Sequence, residues 1–373
     1  MTLPLPRRGL LPLAGLLAMP ALGRAAGAVT VRDVVGREVT LPAPARRLLL
    51  GEGRFIQLLA LLERQDPAGL VAAWMGEFQR TDPQGHAQFV ARFPAAARIP
   101  VVGASAAETF SIERALDARP DLAILGLDGH GPGKAAEAVA QLERAGVPVV
   151  FIDFRQEPLE NSARSIGLVG RLIGREAQAR EYLDFVQGRM DRIRAALAAA
   201  NPAQPAVLME MRAGGGRECC GSPGRGNLGE FIAFAGGRNI GADIIPGALG
   251  QLNTEYVVAQ QPAVYVATGG TGGGADGAPK LGAGVTEAEA RAALRGTVAR
   301  TGIAGLPAVR EGRAHGLWHS FYNSPLNILA LEAMARWFHP QIFADLDPGA
   351  TLAAINARFL AVPLDGTYWV SLR

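Results

Sequence analysis

The stretch that decides the fold runs from Arg175 to Ala200, REAQAREYLDFVQGRMDRIRAALAAA. Ala179, Tyr182, Leu183, Val186, Met190, Ile193 and Leu197 recur at steps of three and four, which places them on one helical stripe. Arg180, Asp184, Arg189, Arg192 and Arg194 occupy the other faces, and Glu176–Arg180 is an i,i+4 pair in the favourable orientation. Gly174 precedes the run and Asn201-Pro202 ends it. At 1.5 Å per residue such a helix is roughly 39 Å long, about the width of a domain. Strand and helix signals alternate on both sides of it. The arrangement this implies is α/β, two Rossmann-like lobes bridged by one long rigid helix, the alternative being a surface helix of one large domain.

Working outward, residues 29–157 read as an N-terminal lobe, 158–203 as a helical region containing the rod, and 204–373 as a C-terminal lobe. A chain of 373 residues is more easily accommodated by two cores than by one. Val29–Val31 and Glu38–Leu41 flank Gly36-Arg37 as a hairpin. Buried strands are expected at Arg47–Leu50, Gly69–Trp74, Ile99–Val102, Asp121–Leu127 and Val147–Ile152, with helices at Phe55–Leu62 and Lys134–Ala145. The rhythm restarts with strands at Ala206–Met211, Ala263–Thr268 and His315–Trp318, and helices at Leu228–Ala235, Glu287–Ala293 and Asn327–Phe338. Strands separated by helices predict mostly parallel sheets with right-handed crossovers.

Residues 1–28 read as an export signal. Arg7-Arg8 is followed by an apolar run too short to span a bilayer, and Ala26-Gly27-Ala28 fits a small-x-small cleavage site. The arginine pair suits either the Tat or the Sec route. Loss of Arg7, Arg8 and Arg24 leaves 34 basic residues against 34 acidic ones, so the net charge of +3 belongs to the signal and a nucleic-acid partner loses its electrostatic support. The only two cysteines, Cys219 and Cys220, are adjacent, which means two free thiols or a vicinal disulfide. Gly224-Arg225-Gly226-Asn227-Leu228-Gly229 matches a dinucleotide fingerprint, but no expected strand leads directly into it and no ribose-binding acid follows. There is no P-loop, nucleophile elbow or HExxH helix, and the five histidines are scattered. A secreted α/β enzyme therefore lacks a visible catalytic constellation.

Several segments in order resemble the periplasmic substrate-binding proteins of ABC importers for iron-siderophore complexes, haem and cobalamin. They are Val31–Leu49 (VRDVVGREVTLPAPARRLL), Phe110–Gly126 (FSIERALDARPDLAILG), Ala145–Asp153 (AGVPVVFID), Gly236–Gly241 (GGRNIG) and Leu252–Gly270 (LNTEYVVAQQPAVYVATGG). Trp318–Phe343 (WHSFYNSPLNILALEAMARWFHPQIF) resembles a longer branch of the same family. The resemblance implies a periplasmic receptor with cargo between the lobes, no catalysis, no resident cofactor, an ABC permease as partner and a monomeric state. Ferric siderophore, a cargo carrying Fe(III), is the foremost expectation, with haem, cobalamin and a molybdate-type oxyanion as alternatives.

Ligands of open α/β sheets bind beyond the carboxyl ends of the strands. Six loops leave such ends: Glu52–Phe55, Met75–Phe78, Asp128–His130, Arg212–Gly216, Gly269–Gly272 and His319–Asn323. Arg54 and Arg212 stand directly after strands on opposite lobes, where a guanidinium fork suits the oxygens of an anionic chelate and an interlobe ion pair is the rival role. Asp128 is a polar candidate in its loop. His319, Phe321, Tyr322 and Asn323 form the densest polar-aromatic cluster; Tyr322 and His319 are of the types that ligate ferric iron, and Phe321 or Trp318 suits stacking on a flat chelate. Trp74 and Met75 are expected in an apolar wall or in the core. The resemblance also implies one permease-docking acid per lobe, Glu113 and Glu255, each opening a helix where the macrodipole also favours a carboxylate.

Overall fold

A computed structural model describes residues 27–104, 109–127, 136–214, 219–272 and 277–373. Its strands are β1 (Val29–Arg32), β2 (Glu38–Leu41), β3 (Leu48–Leu50), β4 (Val71–Trp74), β5 (Leu122–Gly126) and β6 (Val149–Ile152) in the N-terminal lobe. The C-terminal lobe carries β7 (Ala206–Glu210), β8 (Gly221–Pro223), β9 (Arg238–Asn239), β10 (Leu249–Gln251), β11 (Val264–Gly269), β12 (Gly282–Ala283), β13 (Ala314–Trp318), β14 (Gly366–Thr367) and β15 (Trp369–Ser371).

The two main sheets repeat one plan. In the first, β4-β3-β5-β6 are all parallel. In the second, β9-β7-β11-β13 are parallel in the corresponding order, and β15 adds an antiparallel edge. Every residue of β3, β5, β6, β11 and β13 is buried, as expected of strands covered on both faces by helices. The hairpin expected at the start of the mature chain is present as β1-β2, with Val31 opposite Val39. The strand expected at Ile99–Val102 is reduced to a single bridge, Trp74 to Val101.

The decisive helix spans Glu176–Ala200. Ala179, Tyr182, Val186, Met190 and Ile193 are its buried residues, while Leu183 and Leu197 are half-buried against the same core. Gly174 at φ +69° turns the chain into it, and Asn201 in the left-handed conformation closes it. Glu176 pairs with Arg171 (3.5 Å) instead of Arg180, an exposed pair of little energetic weight. The helix packs along its neighbours on both sides. Gly170 of helix Pro158–Leu172 meets Ala179, where a β-carbon on Gly170 would stand only 2.5 Å away. On the other side the Tyr182 hydroxyl donates to Pro325 O (2.6 Å) and Arg189 pairs with the fully buried Glu332 (3.2 Å).

A second connection between the lobes was not legible in the sequence. The segment after helix Pro348–Arg358 returns across the N-terminal lobe before β15 joins the second sheet. Arg64 donates to Arg358 O (2.7 Å), Ala361 N to Ala60 O (3.0 Å) and Gln88 to Asp365 O (2.9 Å). The lobes are thus tied by the long helix and by the tail.

Candidate functional site

In each sheet the first strand lies between the next two, so the connections leaving β3 and β5, and those leaving β7 and β11, part to opposite sides. That divergence opens a crevice at the carboxyl ends, the usual ligand position in such sheets. Arg54 follows β3 and Arg212 follows β7, so the two arginines occupy topologically equivalent positions.

Their surroundings differ. Gly53 lets the chain pass close to β4, since a β-carbon there would lie 2.3 Å from Met75 O. Arg54 Nε then meets Glu52 Oε2 at 2.8 Å and Glu77 Oε1 at 3.6 Å, and Glu77 Oε1 also accepts from Arg54 N (3.0 Å). Glu52 Oε2 accepts in addition from Asn323 Nδ2 of the other lobe (3.2 Å). Burial raises the pKa of Glu77 and the charge of Glu52 adds to that shift, while Arg54 opposes both. Arg54 and Asn323 therefore belong to a buried interlobe network.

On the second lobe, Arg212 adopts φ +50° and its N–H donates to Thr268 Oγ1 (2.8 Å). The same oxygen lies 2.9 Å from His319 Nδ1. Burial holds the His319 pKa well below the ordinary histidine value, and the charges of Arg212, Arg155 and Arg54 push it further down. The ring is thus neutral at physiological pH. Tyr322 packs edge-on to it at 5.1 Å between centroids, and the Arg155 guanidinium lies 5.6 Å from the Tyr322 ring centre. Arg155, Met211, Arg212, Ser222, Gln251, His319 and Tyr322 line a pocket of about 400 Å³ together with backbone of β8 and β10. It is framed by both lobes and carries two guanidinium groups, a neutral imidazole and a phenol.

The other predicted site residues lie elsewhere. Trp74 and Met75 are almost fully buried and contribute to a separate apolar pocket of about 510 Å³, with Phe78, His86 and Val90. Phe321 has no exposed surface; it packs edge-on against Trp318 (5.2 Å) and at a tilt against Tyr368 (6.1 Å), so core packing fills the role expected of stacking on a chelate. Asp128 lies outside the described residues. Glu113 and Glu255 are exposed, each the second residue of a short helix, Ile112–Asp117 and Thr254–Gln260, leading into β5 and β11 respectively.

Arg155 is not among the residues expected from the sequence, although it follows β6 as Arg54 follows β3. Gln251 and Ser222 had no signal, since β8 and β10 are three-residue strands whose pairing is formed across a long loop. The glycine-rich turn after β8 also finds its role here. Gly224–Gly229 opens helix Leu228–Phe234, and Asn227 Nδ2 donates to Arg155 O (2.9 Å). The turn meets the first lobe at Gln156, where Asn227 N donates to Gln156 O (3.3 Å), and β8 belongs to a small antiparallel pair outside the main sheet.

Two wound lobes, a long connecting helix and a polar pocket between them define a solute-binding protein. The periplasmic binding protein family matches residues 59–317, and the chain belongs to that family, whose members bind small molecules and work with ABC permeases. The family is associated with transport and is not an enzyme family, and its location is the periplasm. The TroA-like periplasmic binding protein FepB from Veillonella parvula is 27% identical, with a TM-score of 0.84 over 92% of this chain and 100% of that one. The molybdate-bound MolA of Haemophilus influenzae is 17% identical (TM-score 0.66, 88% and 97% covered). A periplasmic haem-binding protein of Pseudomonas aeruginosa is 21% identical (TM-score 0.56, 80% and 94% covered). No curated protein matches. Among the described residues no helix is long and apolar enough to cross a membrane.

Proposed function

We propose that the mature chain is a monomeric receptor for an anionic metal chelate, ferric siderophore foremost, which it delivers to an ABC permease. The observation that carries this reading is the pocket in which Arg155 and Arg212 flank the neutral His319 and Tyr322. Two guanidinium groups in a partly desolvated site favour carboxylate, catecholate or hydroxamate oxygens. A neutral imidazole nitrogen and a phenol are donors that ferric iron accepts. The same arginine pair also suits a bare oxyanion such as molybdate, which is the second reading. Titration of the mature protein with ferric chelates, haem, cobalamin and molybdate, followed by fluorescence and thermal shift, tests both. Saturable binding with a raised melting temperature is expected for ferric chelates, and no response across the panel would remove the importer reading.

Glu113 and Glu255 are the proposed permease contacts. Each is the second residue of a helix that leads into a strand of its lobe, Ile112–Asp117 into β5 and Thr254–Gln260 into β11. Glu113→Ala and Glu255→Ala should leave cargo affinity intact and together abolish uptake in proteoliposomes. A purely helix-stabilising role predicts normal uptake and a loss of about 0.3–1 kcal/mol in stability.

A further inference from the structure

Cys219 and Cys220 are joined sulfur to sulfur at the end of the pocket wall. Cys220 is fully buried and Cys219 half-buried. The chain passes directly from them into β8, whose Gly221 and Ser222 line the pocket, and β8 pairs with β10, whose Leu249, Gly250 and Gln251 form the adjoining wall. Cys220 N donates to Leu252 O (3.1 Å) and Leu252 N to Cys220 O (2.9 Å), so the cysteine pair closes this ladder. Met211 N donates to Gly221 O (2.7 Å), tying the ladder to the loop that carries Arg212.

The sulfurs also reach the buried polar anchor of the lobe, their ligand atoms and a Glu210 carboxylate oxygen all lying within 4.8 Å of one another. Glu210 is already bound by Arg300 (3.0 and 2.5 Å) and by the Tyr265 hydroxyl (2.5 Å). Its strongest acceptor sites are therefore taken, and a thiol formed beside it gains little in hydrogen bonding, while opening the ring frees the backbone of Cys219 and Cys220 that points the Cys220 amide and carbonyl at Leu252.

We propose that the Cys219–Cys220 disulfide is a redox-sensitive support of the cargo pocket: oxidised, it keeps the β8–β10 wall closed, and reduction loosens that wall and weakens cargo retention. This rests on the cargo reading of the pocket. A dithiol reductant supplies the chemistry. One of its thiolates attacks a sulfur of the pair to form a mixed disulfide, and its second displaces the protein thiolate. Two electrons and two protons pass to Cys219 and Cys220, which become thiols, and the reductant leaves as a disulfide.

The test compares the full mature protein before and after dithiothreitol, with alkylation and mass measurement to verify the thiol count. Amide exchange over residues 220–222 and 249–252 should accelerate about tenfold on reduction while β11 and β13 stay protected. Dissociation of a ferric tricatecholate probe should quicken by a similar factor. The Cys219→Ser/Cys220→Ser double variant should match the reduced protein and ignore the reductant. Unchanged exchange in fully reduced protein would overturn the proposal, as would two alkylatable thiols in protein taken from the periplasm. If exchange responds but the probe binds neither form, the redox support stands and the cargo reading fails. If the probe binds both forms equally and exchange is unchanged, the cargo reading stands and the redox support fails.

Discussion

Arg54 and Arg212 leave the first strand of each sheet at the same topological point, yet one is compensated by two carboxylates and the other lines a pocket. The N-terminal position carries Glu52 and Glu77 within reach of its guanidinium, and Asn323 links that network to the second lobe. The C-terminal position has Thr268 and His319 beside it instead, Thr268 accepting from the Arg212 N–H, and Arg212 lines the pocket. Equivalent strand ends thus supply a place, and the neighbouring side chains decide whether its arginine enters an interlobe ion network or lines a pocket.

The largest effect that sharpens this contrast is on stability. Arg54→Ala leaves Glu52 and Glu77 buried without their cation, and removing one partner of a buried ion network costs about 3–5 kcal/mol. Urea denaturation should register that loss, with cargo affinity per folded molecule little changed. Equal losses of affinity for Arg54→Ala and Arg212→Ala would break the comparison.

Affinity should respond at the other arginines. Arg212→Ala and Arg155→Ala each remove a charged donor from the pocket, worth about 1.5–3 kcal/mol, or roughly ten- to a hundredfold in Kd for the ferric chelate. Thermal unfolding without cargo should shift only slightly. Calorimetric titration of both variants beside Arg54→Ala separates the two roles.

The smallest effect is a difference in pH dependence. Glu77 has a folded pKa raised above 4.5, so its contribution is full below that value and declines as pH rises from there through the folded value. His319 has a folded pKa well below 6.5, so its contribution is full above 6.5 and is lost as pH falls from there toward the folded value. His315, lowered by burial to about 3, acts in the same sense as His319. Glu77→Gln and His319→Gln should therefore change the slope of stability against pH in opposite directions, each by at most about 1.4 kcal/mol per pH unit. Urea midpoints measured through the acid range check this, and slopes changing in the same sense would contradict the assignment of the two environments.

Much of the fold was legible because its signals are local. The stripe from Ala179 to Ile193 and the fully buried strands β5 and β11 follow from side-chain period and burial, which neighbouring residues determine together. His319, Tyr322 and Arg212 are candidates by the rule that places ligands at strand ends, and the fold brings the three to one pocket. Phe321 and Trp318 stand in the same cluster, but the C-terminal residues Tyr368 and Trp369 cover them, and no local pattern announces a tail that returns from so far along the chain.

By itself the sequence determined two α/β halves, a long helix between them and the strand ends at which ligands can meet the chain, because periodicity and turn chemistry act over a few residues. Only the tertiary structure decided that Glu77 joins Glu52 as a counter-charge of Arg54 across 23 positions, that Arg155 stands over Tyr322, and that the tail ties the lobes a second time. The reason is electrostatic and steric. The state of a guanidinium or an imidazole depends on which charges and how much water the folded chain places beside it, and those neighbours come from distant parts of the sequence.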